Sequence, residues 1–201
     1  MSDLERLTDA LCEKLFVEVE ASGRHVHLTE ADAMQLFGHG LTEKRPLSQP
    51  GQFVCEERVT LIGPKGTLQR VAVLGPARPE SQVEISLTDA RLLGIQAPVR
   101  LSGDIQGTPG ICISADKGEI RLSQGVIVAK RHIHMTPESA AQYGLKSGDE
   151  VRIKCLSARP LILENVAVRV SDKFATDVHI DYDEANACGY RAGDLGMILH
   201  G

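Results

Sequence analysis

The chain writes one pattern twice. "SGRHVHLTEADA" begins at Ser22 and "AKRHIHMTPESA" at Ala129, and each contains Arg-His-x-His, an apolar residue and Thr. A second pair of blocks echoes the first. "QVEISLTDARLLG" from Gln82 and "DVHIDYDEANACG" from Asp177 share x-Val-[Glu/His]-Ile, an acidic residue before Ala, and a closing Gly. Self-similarity of this kind constrains the fold more than any composition does, because one supersecondary unit has been used twice. The interval between the blocks is longer in the first copy, which places an insertion near residues 38–56, around "GLTEKRPLSQPGQF".

Most of the material inside the copies is short and β-prone: "FVEVEA", "FVCEERVTLIG", "LQRVAVLG", "SQVEIS", "PVRLSG", "GICISA", "GVIVAK", "DEVRIKCL", "LILENVAVRV" and "DVHID". Turn signals such as Gly63-Pro64-Lys65-Gly66 and Ser147-Gly148-Asp149 punctuate these runs. Thr29, Thr88 and Thr136 are placed to cap very short helices, and Gly38, Gly94, Gly144 and Gly189 to end them. Leu4, Leu7, Leu11 and Leu15 recur at helical spacing, which predicts an amphipathic helix over 3–15. With aromatics at 3% and no Trp, the core must be aliphatic. The fold class expected is mainly β with short helices: two internally duplicated β-barrels capped by short α-helices.

A net charge of −5 gives no broad footprint for nucleic acid. No apolar run reaches the roughly 20 residues of a membrane helix, and the acid-bearing N-terminus does not read as a secretory signal. The five cysteines (Cys12, Cys55, Cys112, Cys155, Cys188) are scattered with no C-x-x-C, which fits reduced thiols in a cytoplasm.

Chemistry concentrates at the repeated histidines. In a strand, residues i and i+2 share a face, so His25 and His27 project together, as do His132 and His134. Paired imidazoles suit zinc, cobalt or nickel. The duplication nominates a third ligand at equivalent positions, Glu84 in the first copy and His179 in the second. Three protein ligands leave coordination open for water or substrate, as in catalytic sites. His39, in the turn "FGHG", and the penultimate His200 read as solvated. Arg78 lies six residues before Glu84. From spacing alone it is equally a cation for an anionic substrate or a surface Arg. "LSGDIQGTPG" reads as a turn with the residues of a ligand loop.

These motifs resemble a known family. "SGRHVHLTEAD", "LGPARPESQVEIS", "SGDIQGTPG", "GVIVAKRHIHMTP" and "HIDYDEANA" are similar to the phosphate propanoyltransferases, the phosphotransacylases found with bacterial microcompartments, over nearly the whole chain after about Val17. The resemblance implies two zinc ions in a site between two barrels, one held by His25, His27 and Glu84, the other by His132, His134 and His179. It implies Arg78 as the catalytic arginine, and Ser22, Ser102 and Asn186 at the coenzyme A and active-site loops. One barrel is expected to combine 14–23 with 130–201, the other to span 24–129. Residues 1–13 are then a packed helix or a targeting peptide for a microcompartment shell. The reaction implied joins acyl-CoA (propanoyl, or acetyl) and phosphate to give acyl phosphate and coenzyme A. Expected partners are those substrates and shell proteins, with a homodimer open, in the cytoplasm or inside a microcompartment. The ligand set alone equally permits a di-metal hydrolase of thioesters or phosphoesters, or a non-catalytic, metal-stabilised shell component.

Overall fold

The computed structural model describes residues 15–199. The expected helix over 3–15, the 1–13 segment, Cys12 and His200 fall almost entirely outside these residues. The described chain is dominated by strands, with four short helices, and divides into two compact units. One unit comprises the described residues up to Ser22 together with those from Arg131 onward; the other is Gly23–Lys130.

The first unit is a closed six-stranded barrel. Its strands are β1 (Val17–Ala21), β11 (His132–Met135), β12 (Glu150–Leu156), β13 (Leu161–Val170), β14 (Asp177–Ile180) and β15 (Leu195–Leu199). The ring runs β1-β14-β11-β13-β12-β15. Strand β12 alternates strictly between exposed and buried positions, so only one of its faces meets the core. That core is aliphatic as expected, built on residues such as Val19, Ile133, Ile153 and Ile180. Burying each such side chain stabilises the fold by roughly 1.5–3 kcal/mol.

The second unit is a nine-stranded sheet. It contains β2 (His25–His27), β3 (Glu43–Pro46), β4 (Phe53–Ile62), β5 (Thr67–Gly75), β6 (Gln82–Ile85), β7 (Val99–Arg100), β8 (Ile111–Ser114), β9 (Glu119–Leu122) and β10 (Val126–Ala129). The order is β7-β10-β6-β2-β5-β4-β8-β9, with β3 paired to β4. This sheet is not closed, so the two-barrel expectation is met by one closed barrel and one open sheet. The insertion region holds β3, a fully exposed edge strand.

The copies match in pairing. The ligand-bearing strands β2 and β11 each run antiparallel to the strand of the second block, β6 and β14. Each of those is flanked on its other side by a parallel strand, β10 for β6 and β1 for β14. The flanking strands are exchanged: β1 opens the first copy yet pairs in the unit of the second, and β10 opens the second copy yet pairs in the unit of the first.

The helices are α1 (Glu30–Phe37), α2 (Leu87–Leu93), α3 (Pro137–Tyr143) and α4 (Tyr182–Cys188). Thr29 and Thr136 cap α1 and α3 through their hydroxyls, as anticipated. Thr88 does not cap α2. Ser86, extended at φ −86° and ψ 169°, does so in a capping box with Asp89. Its hydroxyl reaches the Asp89 amide, whereas Thr88 already lies inside the helix. The four helices end at Gly38, Gly94, Gly144 and Gly189, all left-handed with φ of 64–77°. No helix among the described residues is long and apolar enough to cross a membrane.

Candidate metal centres

In the unit Gly23–Lys130, β2 and β6 pair so that His25 stands opposite Glu84 and His27 opposite Gln82. Period-two alternation puts both imidazoles on the face that Glu84 shares. His25 Nε2 lies 3.6 Å and His27 Nε2 3.7 Å from Glu84 Oε1. All three residues are buried, and their ligand atoms fall within 4.8 Å of one another. His25 Nδ1 meets the Gly23 carbonyl at 2.8 Å. That contact places a proton on Nδ1 and turns Nε2 toward the cluster, the usual orientation of a metal-binding histidine; against burial, the charge of Glu84 raises the His25 value, so a metal would displace a proton from Nε2. His27 Nδ1 is buried with no hydrogen-bond partner.

Glu84 is tightly held. Its Oε1 accepts from Gln82 Nε2 at 2.6 Å and from the Ser102 hydroxyl at 2.7 Å. Ser102 Oγ in turn accepts from Gln82 Nε2 at 2.7 Å and from Arg78 Nη1 at 2.9 Å. The Arg78 amide donates to the Leu28 carbonyl, and the Gly103 amide to Gln82 Oε1. Burial would push the Glu84 carboxyl up, but the adjoining His25, the neighbouring His27 and the hydrogen bond from Ser102 outweigh it and hold Glu84 well below the usual carboxylate range. Burial, then the neighbouring His25 and Arg78, hold His27 well below its ordinary value, so its imidazole stays neutral. A carboxylate and a neutral imidazole are the protonation states a metal requires.

In the other unit, β11 and β14 pair so that His132 faces His179 and His134 faces Asp177. The rings of His132 and His179 stack with centroids 5.2 Å apart, and His134 lies edge-on to both, at 4.6 and 4.9 Å. The ligand atoms that converge within 4.8 Å belong to His134, Asp177 and His179. Asp177 Oδ1 is 2.7 Å from His179 Nε2 and 3.6 Å from His134 Nδ1. Neither contact makes a hydrogen bond, so two buried imidazole nitrogens stand without a hydrogen-bond partner beside the same carboxylate oxygen. Buried polar atoms are rarely left so, and a cation there would satisfy them. Burial lowers the His134 value, with Asp177 opposing.

Asp177 was not anticipated. Aligning the copies puts it at the position of Gln82, two residues before the third ligand, but a glutamine there marks no ligand, and only the pairing with His134 identifies it. Both clusters therefore hold a carboxylate, at Glu84 in one and Asp177 in the other.

Ser102 and Arg78 belong to the Glu84 network. Ser22 is half-buried, its amide donating to the Ile180 carbonyl at 2.8 Å. Asn186 is exposed on α4. His39 is exposed, as expected of a solvated turn residue.

Comparison with known proteins adds an independent line. A family model described as phosphate propanoyltransferase matches residues 18–191. The phosphate propanoyltransferase of Clostridioides difficile is 52% identical over 198 residues, covering 98% of this chain and 95% of its own length. That of Enterococcus faecalis is 57% identical over 184 residues, covering 90% and 87%. That of Thermotoga maritima is 50% identical over 184 residues, covering 90% and 88%. With the duplicated histidine strands in place and a match spanning most of every chain compared, the protein belongs to the phosphate propanoyltransferase family.

Proposed function

We propose that the protein is a zinc-dependent phosphotransacylase that interconverts propanoyl-CoA, and acetyl-CoA as a second substrate, plus phosphate with acyl phosphate plus coenzyme A. The observation that carries this reading is the pair of buried histidine–carboxylate clusters, one of them tied through Ser102 to Arg78, in a chain of this family. His25, His27 and Glu84 would hold one ion, and His134 and His179 with His132 or Asp177 the other. Bound zinc supplies a Lewis acid for phosphate and carbonyl oxygens.

The chain's own residues account for the rest. Arg78 presents a planar cation suited to a phosphate dianion, and its tether to Ser102 fixes where that charge sits. The same guanidinium stabilises negative charge as it develops on the thioester oxygen. Holding phosphate against the acyl carbon replaces a bimolecular encounter with an oriented one. A phosphate oxygen forms the new bond to the carbonyl carbon, the C–S bond breaks, and coenzyme A leaves with its sulfur. Direct attack is favoured over an acyl-enzyme because burial pushes the Cys55 and Cys155 thiols up to about 12, which leaves little thiolate at neutral pH. Ser22 and Asn186 are assigned to coenzyme binding.

The test pairs metal analysis with acyl-phosphate formation for wild type, His25→Ala and Arg78→Ala. Two zinc per chain, fewer in His25→Ala, and a collapse of kcat/KM with intact metal in Arg78→Ala are expected. Coenzyme A release without phosphate would point to the hydrolase instead. Absence of any turnover with full zinc would point to a structural metal.

A further inference from the structure

The arginine of Arg-His-x-His has no part in the chemistry above, yet both copies keep it. In the unit Gly23–Lys130, Arg24 grips Asp89 with two parallel contacts, Nε to Oδ2 at 3.0 Å and Nη2 to Oδ1 at 2.9 Å. Asp89 is buried and is the N3 residue of the α2 capping box, its Oδ2 also accepting from the Ser86 amide. Ser86 directly follows β6, the strand that carries Glu84. In the other unit, Arg131 Nη1 meets Glu184 Oε1 at 2.6 Å, and its Nε donates to the Glu164 carbonyl at 2.6 Å. Glu184 is the N3 residue of the α4 capping box, its Oε2 accepting from the Asp181 amide at 3.0 Å. Asp181 directly follows β14, the strand that carries His179.

The two units thus solve one geometric problem in one way. The residue before the first histidine is tied to the first turn of the helix that begins where the third-ligand strand ends. The β2–β6 ladder registers only three residue pairs, and a one-residue slip would turn every ligand to the opposite face. Burial of β2 and its pairing with β5 already favour this register, and a contact at the ladder's end adds to them. A bidentate guanidinium–carboxylate contact adds directional specificity at the ladder's end.

We propose that Arg24 and Arg131 are positioning residues, each clamping the His-x-His strand of its own unit to the helix after the third-ligand strand and so setting the geometry of one metal centre and not the other. This rests on the metal reading above. The clamp is a separate claim from catalysis: its effect appears in metal affinity, centre by centre.

The experiment uses full-length protein stripped of metal and titrated with Co²⁺ against a chromophoric chelator. Each centre is read alone, in a His132→Ala/His134→Ala background for the first and a His25→Ala/His27→Ala background for the second. Arg24→Met, which keeps the apolar stem, is expected to weaken Co²⁺ on the order of tenfold at the first centre and to leave the second unchanged. Arg131→Met should do the reverse, and Arg24→Lys should recover part of the loss. A purely structural arginine would affect both centres through overall stability, so equal effects at both overturn the proposal, as does no effect at either. Backgrounds that bind no Co²⁺ at all overturn the metal reading itself, and the clamp with it.

Discussion

Replacing Ser102 with alanine tests the Glu84 network most directly. The hydroxyl uses its full capacity: it donates to Glu84 Oε1 and accepts from Gln82 Nε2 and Arg78 Nη1. The three losses are unequal. Gln82 keeps its own 2.6 Å contact to Glu84, and the half-buried Arg78 can be rehydrated, so both cost little. The bond to the buried carboxylate is the expensive one, because hydrogen bonds to charged groups contribute about 1.5–3 kcal/mol. Ser102→Ala should therefore destabilise the metal-free protein by about 2–3 kcal/mol in urea unfolding, with the slope unchanged. The Glu84 carboxylate also loses a group that orients it, so metal affinity at this centre should fall on the order of tenfold or more. Arg78 loses its tether, so kcat/KM for phosphate should fall as well. A rise in KM for acyl-CoA alone, with stability shifted by less than about 0.5 kcal/mol and metal affinity intact, would refute this reasoning and return Ser102 to a coenzyme contact.

Two other outcomes follow from the electrostatics. Burial, with Glu184 and Asp183 nearby, raises the Asp181 carboxyl to about 6 from an ordinary 3.8. Its folded value exceeds its unfolded one, so its contribution to stability is complete below about pH 3.8 and is lost as pH rises through about 6. Asp181→Asn, which still caps α4, should gain on wild type by on the order of 1–2 kcal/mol between pH 4 and 7, after discounting for solvent screening; a pH-independent difference in thermal unfolding would contradict this. Cys55 and Cys155, buried with thiols pushed up to about 12, should resist iodoacetamide at pH 8 until the protein unfolds. Mass spectrometry finding either thiol alkylated in fully folded, active protein would reopen the acyl-enzyme route.

The histidine pairs were legible because strand alternation has a period of two and the duplication repeats it, so side-chain direction followed from spacing alone. Glu84 and His179 were legible for the same reason. Asp177 was not, because an aspartate at a strand's start reads as turn chemistry until register places it opposite His134. Ser86 was passed over for Thr88 because both are plausible caps and only the backbone at Ser86 shows which residue is still extended. Strands β3, β9 and β15 went unpredicted: "EKRP" carries no apolar alternation, "EIRL" is four residues long, and "LGMIL" contains a glycine packed against Val19 and Ile153. Barrel closure is a property of pairing across long sequence distances, which periodicity does not record. The arginine clamp was hidden because an arginine beside a histidine motif suggests substrate binding, while its partner acids lie in helix caps far along the chain.

The exchange of β1 and β10 between the copies has an ancestral meaning. A half-length chain holding one copy would leave its third-ligand strand without the parallel neighbour that completes it. Lending its opening strand to a second molecule and receiving one in return, in a symmetric strand-swapped homodimer, would satisfy that edge. Gene fusion would convert that swap into an intramolecular one, at the high effective concentration a covalent link provides. It would also release the two centres from symmetry, so that Gln82 and Glu84 in one could become Asp177 and His179 in the other. The present chain reads as that dimer made permanent.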